Sequence, residues 1–226
     1  MSGVIIEGNM KIDFFRINTA NIFRGLVEYQ KTMEAQLPII QQHEQSSIEV
    51  FKNHDLPDTI PYESMMEEYD WIYEYFFPRS LRYSFVVLLF LVIEHQLNQL
   101  CDEIQKRRNL PIRSSEMSGD ALKRSKVYLQ KVARVSIKNW ESLEDLSKVR
   151  NCIVHTLGKV ELSKDAKHLN QLVKKNIGLA ISGEDSQEDG FLVVSAEYCE
   201  SAIRLAKQFF YEIFDAADFG PELSMY

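Results

Sequence analysis

The sequence predicts an all-α protein: a bundle of four to six helices with one small β-hairpin before the last helix. Apolar residues recur at intervals of three and four along most of the chain, which is the helical period. Two strand-like runs, Gly178-Leu-Ala-Ile-Ser and Gly190-Phe-Leu-Val-Val-Ser, flank a polar loop and predict the hairpin. No internal repeat is visible, which argues against a solenoid.

The N-terminal part of the chain predicts two helices separated by prolines. Residues 3–17 alternate weakly around Gly8-Asn9, a pattern typical of either a short hairpin or an irregular lead-in. Helical spacing then predicts a first helix from Thr19 to about His54, interrupted at Pro38 because proline removes a helical hydrogen bond. A second helix is predicted from Tyr62 to Phe77.

The rest of the chain predicts the main helical domain. Pro78 is compatible with the first turn of a third helix, which is apolar nearly all round in its first half and narrows to an apolar stripe later. The predicted helices cover Arg79–Arg108, 119–135, Trp140–Leu157 closed by Gly158, Ser163–Lys175, and Ser195 or Ala196 through Phe214. The predicted apolar side of the last helix consists of Cys199, Ile203, Ala206, Phe209, Phe210 and Ile213. The predicted division is an N-terminal helical arm, 1–60, and a helical domain, 61–226.

Composition limits the class of protein. With 226 residues and 45% hydrophobic content, the chain is long enough to bury a full core. Its three cysteines lack paired spacing, which argues against a disulfide framework or a zinc site, and no cofactor or metal is expected. The N-terminus lacks the pattern of a secretory signal, and the longest apolar run, Phe85 to Ile93, is shorter than the roughly 20 residues of a membrane span. We therefore expect a cytoplasmic protein with no membrane partner.

Charge is distributed unevenly along the chain. The net charge of −7 argues against nucleic-acid binding, but residues 106–138 contain ten basic and two acidic side chains. One interpretation is a surface that binds RNA, and the other is a solvated helix face. The candidate RNA-binding residues are Lys106, Arg107, Arg108, Lys123 and Arg124.

The fifth predicted helix contains the candidate catalytic residues. On a helical wheel, Arg150 falls inside an apolar arc formed by Leu143, Leu146, Val149, Ile153 and Leu157. An arginine there needs hydrogen-bond acceptors, so it is expected to face a partner or a cleft. Asn151 and His155 are four residues apart and share a face, so the three polar residues are expected to border one groove. The alternative is structural: His155 supports the last helical carbonyls, and Arg150 forms an internal ion pair.

Glu94 interrupts the apolar run of the third helix and shares a stripe with Phe90 and Leu97. A carboxylate in that position favours a cationic neighbour, so we expect it to support the site by orienting Arg150 or a nearby polar group. The alternative is that Glu94 marks the point where the helix leaves the core.

Two motifs make this chain resemble the HEPN superfamily, the higher eukaryotes and prokaryotes nucleotide-binding domain. They are Arg150-Asn151-xxx-His155 and the helix end Val154-His155-Thr156-Leu157-Gly158, and the resemblance covers roughly residues 79–215. It implies a HEPN-like bundle that forms a homodimer with a shared cleft for RNA. It further implies a metal-independent endoribonuclease with Arg150, Asn151 and His155 as catalytic residues, as in toxins and phage-defence effectors.

These residue types suit cleavage of RNA by its own 2′-hydroxyl. Histidine can transfer the protons, arginine can bind phosphate oxygens, and asparagine can orient either partner. For a toxin of this family, the resemblance implies an antitoxin partner. The alternative is a catalytically silent HEPN subunit that pairs with a nucleotidyltransferase or another defence component. A third interpretation, a purely structural bundle, predicts that loss of Arg150 damages stability rather than activity.

Overall fold

A computed structural model of the chain describes residues 5–6, 10–11, 13–52, 61–183 and 189–220. The fold is all-α with one small hairpin before the last helix, as predicted. The helices are α1 (Phe14–Glu49), α2 (Tyr62–Tyr69), α3 (Phe77–Arg108), α4 (Ala121–Val127), α5 (Trp140–Thr156), α6 (Ala166–Leu172) and α7 (Ala196–Ala216). Two π-helices, Asp70–Phe76 and Tyr128–Val132, and two 3₁₀ turns, Ser114–Glu116 and Val160–Leu162, complete the helical structure of the described residues.

The predicted hairpin consists of β3 (Leu179–Ile181) and β4 (Leu192–Val194), which pair antiparallel with Ala180 opposite Val193. A second antiparallel pair joins β1 (Ile5–Ile6) to β2 (Met10–Lys11), so the first of the two N-terminal alternatives is the correct one. The Gly8-Asn9 turn itself lies outside the described residues.

By contacts the chain forms two compact units. Unit 1 contains residues 1–27, 88–147 and 201–226, and unit 2 contains residues 28–87 and 148–200. Helices α1, α3, α5 and α7 contribute residues to both units. The division into an arm, 1–60, and a domain, 61–226, stays a prediction.

Unit 1 has an aromatic core. Phe23 and Phe210 pack at 5.4 Å between ring centroids, and Trp140 meets Phe209 edge-on at 4.9 Å. The predicted apolar side of the last helix is confirmed, because all of these side chains are buried: Cys199, Ile203, Ala206, Phe209, Phe210 and Ile213. Asp13 caps α1 by accepting hydrogen bonds from the N–H groups of Phe15 and Arg16.

In unit 2, the predicted interruption of the first helix at Pro38 is wrong, because α1 continues through this proline. Contacts on both sides of Pro38 stabilise the helix. Arg82 donates two hydrogen bonds of 2.9 Å to the Glu34 carboxylate, and Tyr69 donates to the Gln41 carbonyl at 3.0 Å. Such tertiary contacts offset the helical hydrogen bond that proline removes.

The predicted third helix is found as α3, but no break separates it from the helix before it, since the helical segment from Tyr62 to Arg108 is continuous. At the end of the π-helix Asp70–Phe76, the N–H of Phe77 donates to the Ile72 carbonyl, five residues back. In the same pattern Pro78 would donate to the Tyr73 carbonyl, but proline has no N–H. Gln41 Nε2 donates to that carbonyl instead, at 2.9 Å, so the chain passes Pro78 without leaving an acceptor unsatisfied.

By length and composition alone, the segment Tyr62–Arg108 would suffice to cross a membrane, a test that core helices of soluble proteins also pass. Five residues of its most apolar run are buried within the protein: Phe85, Val86, Leu89, Phe90 and Ile93. Leu88 and Leu91 of the same run are 37% and 50% exposed. We infer no membrane span from this segment.

Candidate functional site

The predicted catalytic residues lie on the C-terminal half of α5, in unit 2. Val149, Cys152 and Ile153 bury one side of this half-helix, with at most 5% of each residue exposed. At about 100° per residue, Asn151 lies on the opposite side, and Arg150 and His155 lie on its two flanks, about 140° apart. Arg150 and Asn151 are half-buried and His155 is exposed, so all three residues keep accessible surface, and Asn151 and His155, four residues apart, share a face.

Arg150 is oriented by its neighbour along the chain. Its Nη1 donates to Asn151 Oδ1 at 2.9 Å, and its Nε is buried. This hydrogen bond directs the guanidinium toward Asn151, which shares a helix face with His155, and it leaves the Asn151 amide group able to donate to a ligand. The sequence predicts that Arg150 needs a hydrogen-bond acceptor, and the side-chain oxygen of Asn151, within the motif, is one.

The end of α5 is built around Gly158. The N–H of Gly158 donates to the Cys152 carbonyl at 3.1 Å, and Thr156 Oγ1 donates to the same carbonyl at 2.7 Å. Gly158 has φ +88°, and a Cβ on it would lie 2.0 Å from the Tyr83 hydroxyl oxygen. The predicted helix stop at Gly158 is confirmed, and the close approach of Tyr83 is the physical reason that glycine stands there.

Leu157 departs from its predicted place. It was expected inside the apolar arc of α5, but it has φ +51° and is 76% exposed. The helix ends at Thr156, so the 100° period no longer applies to the next residue. Together with Val154, which is 47% exposed, it places apolar surface beside His155.

The segment after the motif is joined to the hairpin. Lys159 forms an antiparallel bridge with Phe191, with hydrogen bonds from Leu192 to Gly158 (2.8 Å) and from Val160 to Gly190 (3.0 Å). The buried Tyr83 hydroxyl donates to the Leu192 carbonyl, and burial raises its pKa well above the ordinary value for tyrosine. These contacts fix the exit of α5.

Glu94 is half-buried on α3, between the buried Phe90 and Leu97. The expectation that it supports the site by orienting Arg150 stays a prediction.

The five predicted RNA-binding residues of the 106–138 segment divide into two groups. Arg107 binds Asp13 and Glu103, Arg108 donates to the Ala133 carbonyl, and Arg124 donates to the Gly119 carbonyl. Lys106 and Lys123 are exposed. The three arginines of this set therefore make contacts within unit 1, whereas the two lysines face solvent.

A second basic segment was missed by the sequence interpretation although it is visible in the sequence. Residues 148–175 contain seven Lys or Arg and only two Asp or Glu, and they include the whole Arg150–His155 motif. Lys148 lies at the start of this segment and contacts His168, with 3.1 Å between Nζ and Nε2. A positive segment around the motif favours an anionic ligand.

Within the described ranges, no group of three or more His, Cys, Asp or Glu side chains is placed to hold a metal ion. All three cysteines are buried and free. Burial raises the pKa of Cys101 and Cys199 to about 12 and also raises that of Cys152, which makes these thiols poor nucleophiles.

No protein-family model, curated protein sequence or solved structure matches this chain. The HEPN resemblance therefore depends on the motif residues and their context alone.

Proposed function

We propose that this protein is a metal-independent endoribonuclease of the HEPN type. The observation that carries the proposal is the Arg150–Asn151 hydrogen bond on α5, with Asn151 on the same face as the solvent-exposed His155. This combination of a fixed guanidinium and an accessible imidazole matches what cleavage of a phosphodiester needs.

In the proposed reaction the 2′-hydroxyl of one nucleotide attacks its own 3′-phosphorus. His155 accepts the proton of that hydroxyl as the new P–O2′ bond forms. The P–O5′ bond breaks, and the leaving oxygen takes a proton from a general acid, giving a 2′,3′-cyclic phosphate and a 5′-hydroxyl. Arg150 stabilises the negative charge that develops on the phosphate oxygens, and Asn151 keeps Arg150 in place.

The proposed active form is a homodimer. Val154 and Leu157 are exposed apolar residues next to His155, and burying them against a second copy would bring two motif faces together around one cleft. A second His155 would then be available as the general acid. We further propose a cytoplasmic toxin or phage-defence effector whose activity an antitoxin or another defence component controls.

The test is cleavage of a mixed RNA pool in excess chelator. Wild type is expected to cut and to leave cyclic-phosphate ends, whereas His155→Ala is expected to lose about 10² to 10⁴ in rate. The matched control is His43→Ala, which also removes an exposed histidine from a helix and should cut like wild type. Equal cutting by wild type and His155→Ala would contradict the proposed role of His155.

Arg150 variants separate catalysis from stability. Arg150→Ala should lose activity while its thermal midpoint changes little, because Arg150 is only half-buried. A large fall in the midpoint would support a structural role instead. A folded wild type that binds RNA in chelator and never cuts it would indicate the silent HEPN subunit, which pairs with a nucleotidyltransferase or another defence component.

A further inference from the structure

Two exposed aromatic rings stack on each other in the π-helix Asp70–Phe76. The ring centroids of Trp71 and Phe76 are 5.1 Å apart with 14° between their planes, and each residue is 41% exposed. Large apolar rings are normally buried, so two parallel rings that both face solvent are unusual. They form a flat platform on unit 2.

The π-helix is the reason that these two rings meet. In an α-helix, residues five apart differ by about 140° around the axis and do not face each other. The wider π turn, with hydrogen bonds to the fifth preceding residue, brings residues five apart onto the same side. π-helical turns are rare and occur frequently at functional sites, and here the turn creates the platform.

A charged side chain lies next to the platform. The Arg79 guanidinium lies 5.1 to 5.9 Å from four ring centroids, those of Tyr75, Phe76, Tyr83 and Phe191. Lys159 Nζ lies 5.1 Å from the centroid of Phe191. Successive contacts therefore link three rings and two cations within unit 2, and we call this group the aromatic–cation ladder: Trp71, Phe76, Arg79, Phe191 and Lys159.

The ladder ends close to the proposed active site. Lys159 follows His155 by four residues, so their Cα atoms are at most about 14 Å apart. Lys159 also belongs to the basic segment 148–175. A chain of nucleotides bound at His155 is thus within reach of the ladder.

We propose that the aromatic–cation ladder is a subsite for single-stranded RNA, in which an unpaired base stacks on the Trp71–Phe76 platform. This inference rests on the proposed function and extends it by naming unpaired nucleotides beside the cut as the substrate feature recognised. Exposed rings with positive charges beside them match what a single strand offers, bases that stack and phosphates that attract cations. A base inside a duplex has both faces covered, so the interior bases of duplex RNA cannot stack on the platform.

The test uses Trp71 as its own reporter. The chain has two tryptophans, and Trp140 is only 3% exposed. Titrating His155→Ala with a single-stranded oligoadenylate should quench the fluorescence of Trp71, and an RNA duplex of the same length should not. In the same background, Trp71→Ala and Phe76→Ala should each weaken oligoadenylate binding roughly 5- to 150-fold, measured by fluorescence anisotropy of a labelled strand.

Two variants serve as matched controls. Trp71→Phe retains an aromatic face and should bind within a few-fold of the parent. Tyr29→Ala removes another aromatic residue of unit 2 that is 44% exposed, one that stacks on the buried Phe85 at 6.3 Å, and it should leave RNA affinity unchanged. Far-ultraviolet circular dichroism confirms that each variant is folded before binding is measured.

Binding and cleavage are read separately, so the two proposals can fail independently. Oligoadenylate binding that depends on Trp71 supports the subsite even if wild type never cuts RNA. Equal binding by Trp71→Ala and its parent overturns the subsite even if wild type cuts. A Trp71 response to phosphatidylserine vesicles without any response to RNA would assign the platform to a membrane surface and overturn the inference as well.

Discussion

Replacing Gly158 by alanine should both destabilise the protein and disturb the proposed site. Gly158 has φ +88°, and the new Cβ would lie 2.0 Å from the Tyr83 hydroxyl oxygen, 2.6 Å from its Cζ and 2.8 Å from its Cε2. No rotation of the methyl group relieves contacts this short, so the tyrosine ring or the backbone must move. The Tyr83 hydroxyl would then lose its hydrogen bond to the Leu192 carbonyl.

The size of the effect follows from two costs. A left-handed backbone conformation costs a residue other than glycine about 1 to 2 kcal/mol. Loss of a buried hydrogen bond that leaves its acceptor unsatisfied costs about 1 to 3 kcal/mol. We therefore expect Gly158→Ala to lower the free energy of unfolding by about 2 to 5 kcal/mol, a large part of the total of a typical domain.

Urea unfolding followed by circular dichroism measures this loss. Gly183→Ala is the matched control, because a Cβ on Gly183 meets nothing within 4 Å and its unfolding midpoint should barely change. Tyr83→Phe removes the hydroxyl but retains the ring, and it should cost about 1 to 2 kcal/mol. The double variant, Gly158→Ala with Tyr83→Phe, lacks the 2.0 Å contact with the hydroxyl oxygen. Its loss of unfolding free energy should therefore be smaller than the sum of the two single losses.

Two results would refute this reasoning. One is a Gly158→Ala variant whose stability lies within about 0.5 kcal/mol of wild type, the range of an ordinary surface substitution. The other is strict additivity of Gly158→Ala and Tyr83→Phe, because residues in direct contact should couple.

Three further predictions concern charge and thiol chemistry. Burial disfavours ionised Asp13, but hydrogen bonds from Arg107 and the Arg16 N–H, with the positive charge of Arg107, outweigh it and lower its pKa below 3.8. Ionised Asp13 therefore stabilises the folded state above this pH, and the stabilisation is lost as pH falls through the lowered pKa. Asp13→Asn should lower the free energy of unfolding by about 1 to 2 kcal/mol at pH 7, and urea titrations should show the difference between variant and wild type shrinking below about pH 4. Arg82→Lys should cost about 1 to 2 kcal/mol in the same assay, because lysine cannot make the paired hydrogen bonds to Glu34, and an unchanged midpoint would show that these bonds contribute little. The three buried cysteines should resist iodoacetamide at pH 8 in the native protein and react fully in urea, whereas rapid native labelling would contradict their burial and raised pKa.

The sequence predicted the elements whose signals are local. Helical periodicity placed α7 and its buried face, strand-like runs bounded by glycines placed the hairpin, and Gly158 marked the end of α5. The motif is also local, because Asn151 and His155, four residues apart on one helix, must share a face, and Arg150 directly precedes Asn151. For this reason Arg150, Asn151 and His155 could be selected from the sequence, and all three have accessible surface on the C-terminal half of α5.

Tertiary contacts decided what the local signals misjudged. Pro38 and Pro78 indicated helix ends, but both helices continue, and at Pro78 the free Tyr73 carbonyl accepts from Gln41, a residue 32 positions away. The aromatic–cation ladder likewise joins residues 71–79 to residues 159 and 191. The local backbone preferences of proline and of aromatic residues can be read from the sequence. Two other effects exist only in the folded chain: a distant side chain that donates the hydrogen bond proline cannot make, and a π turn that changes the direction of a ring.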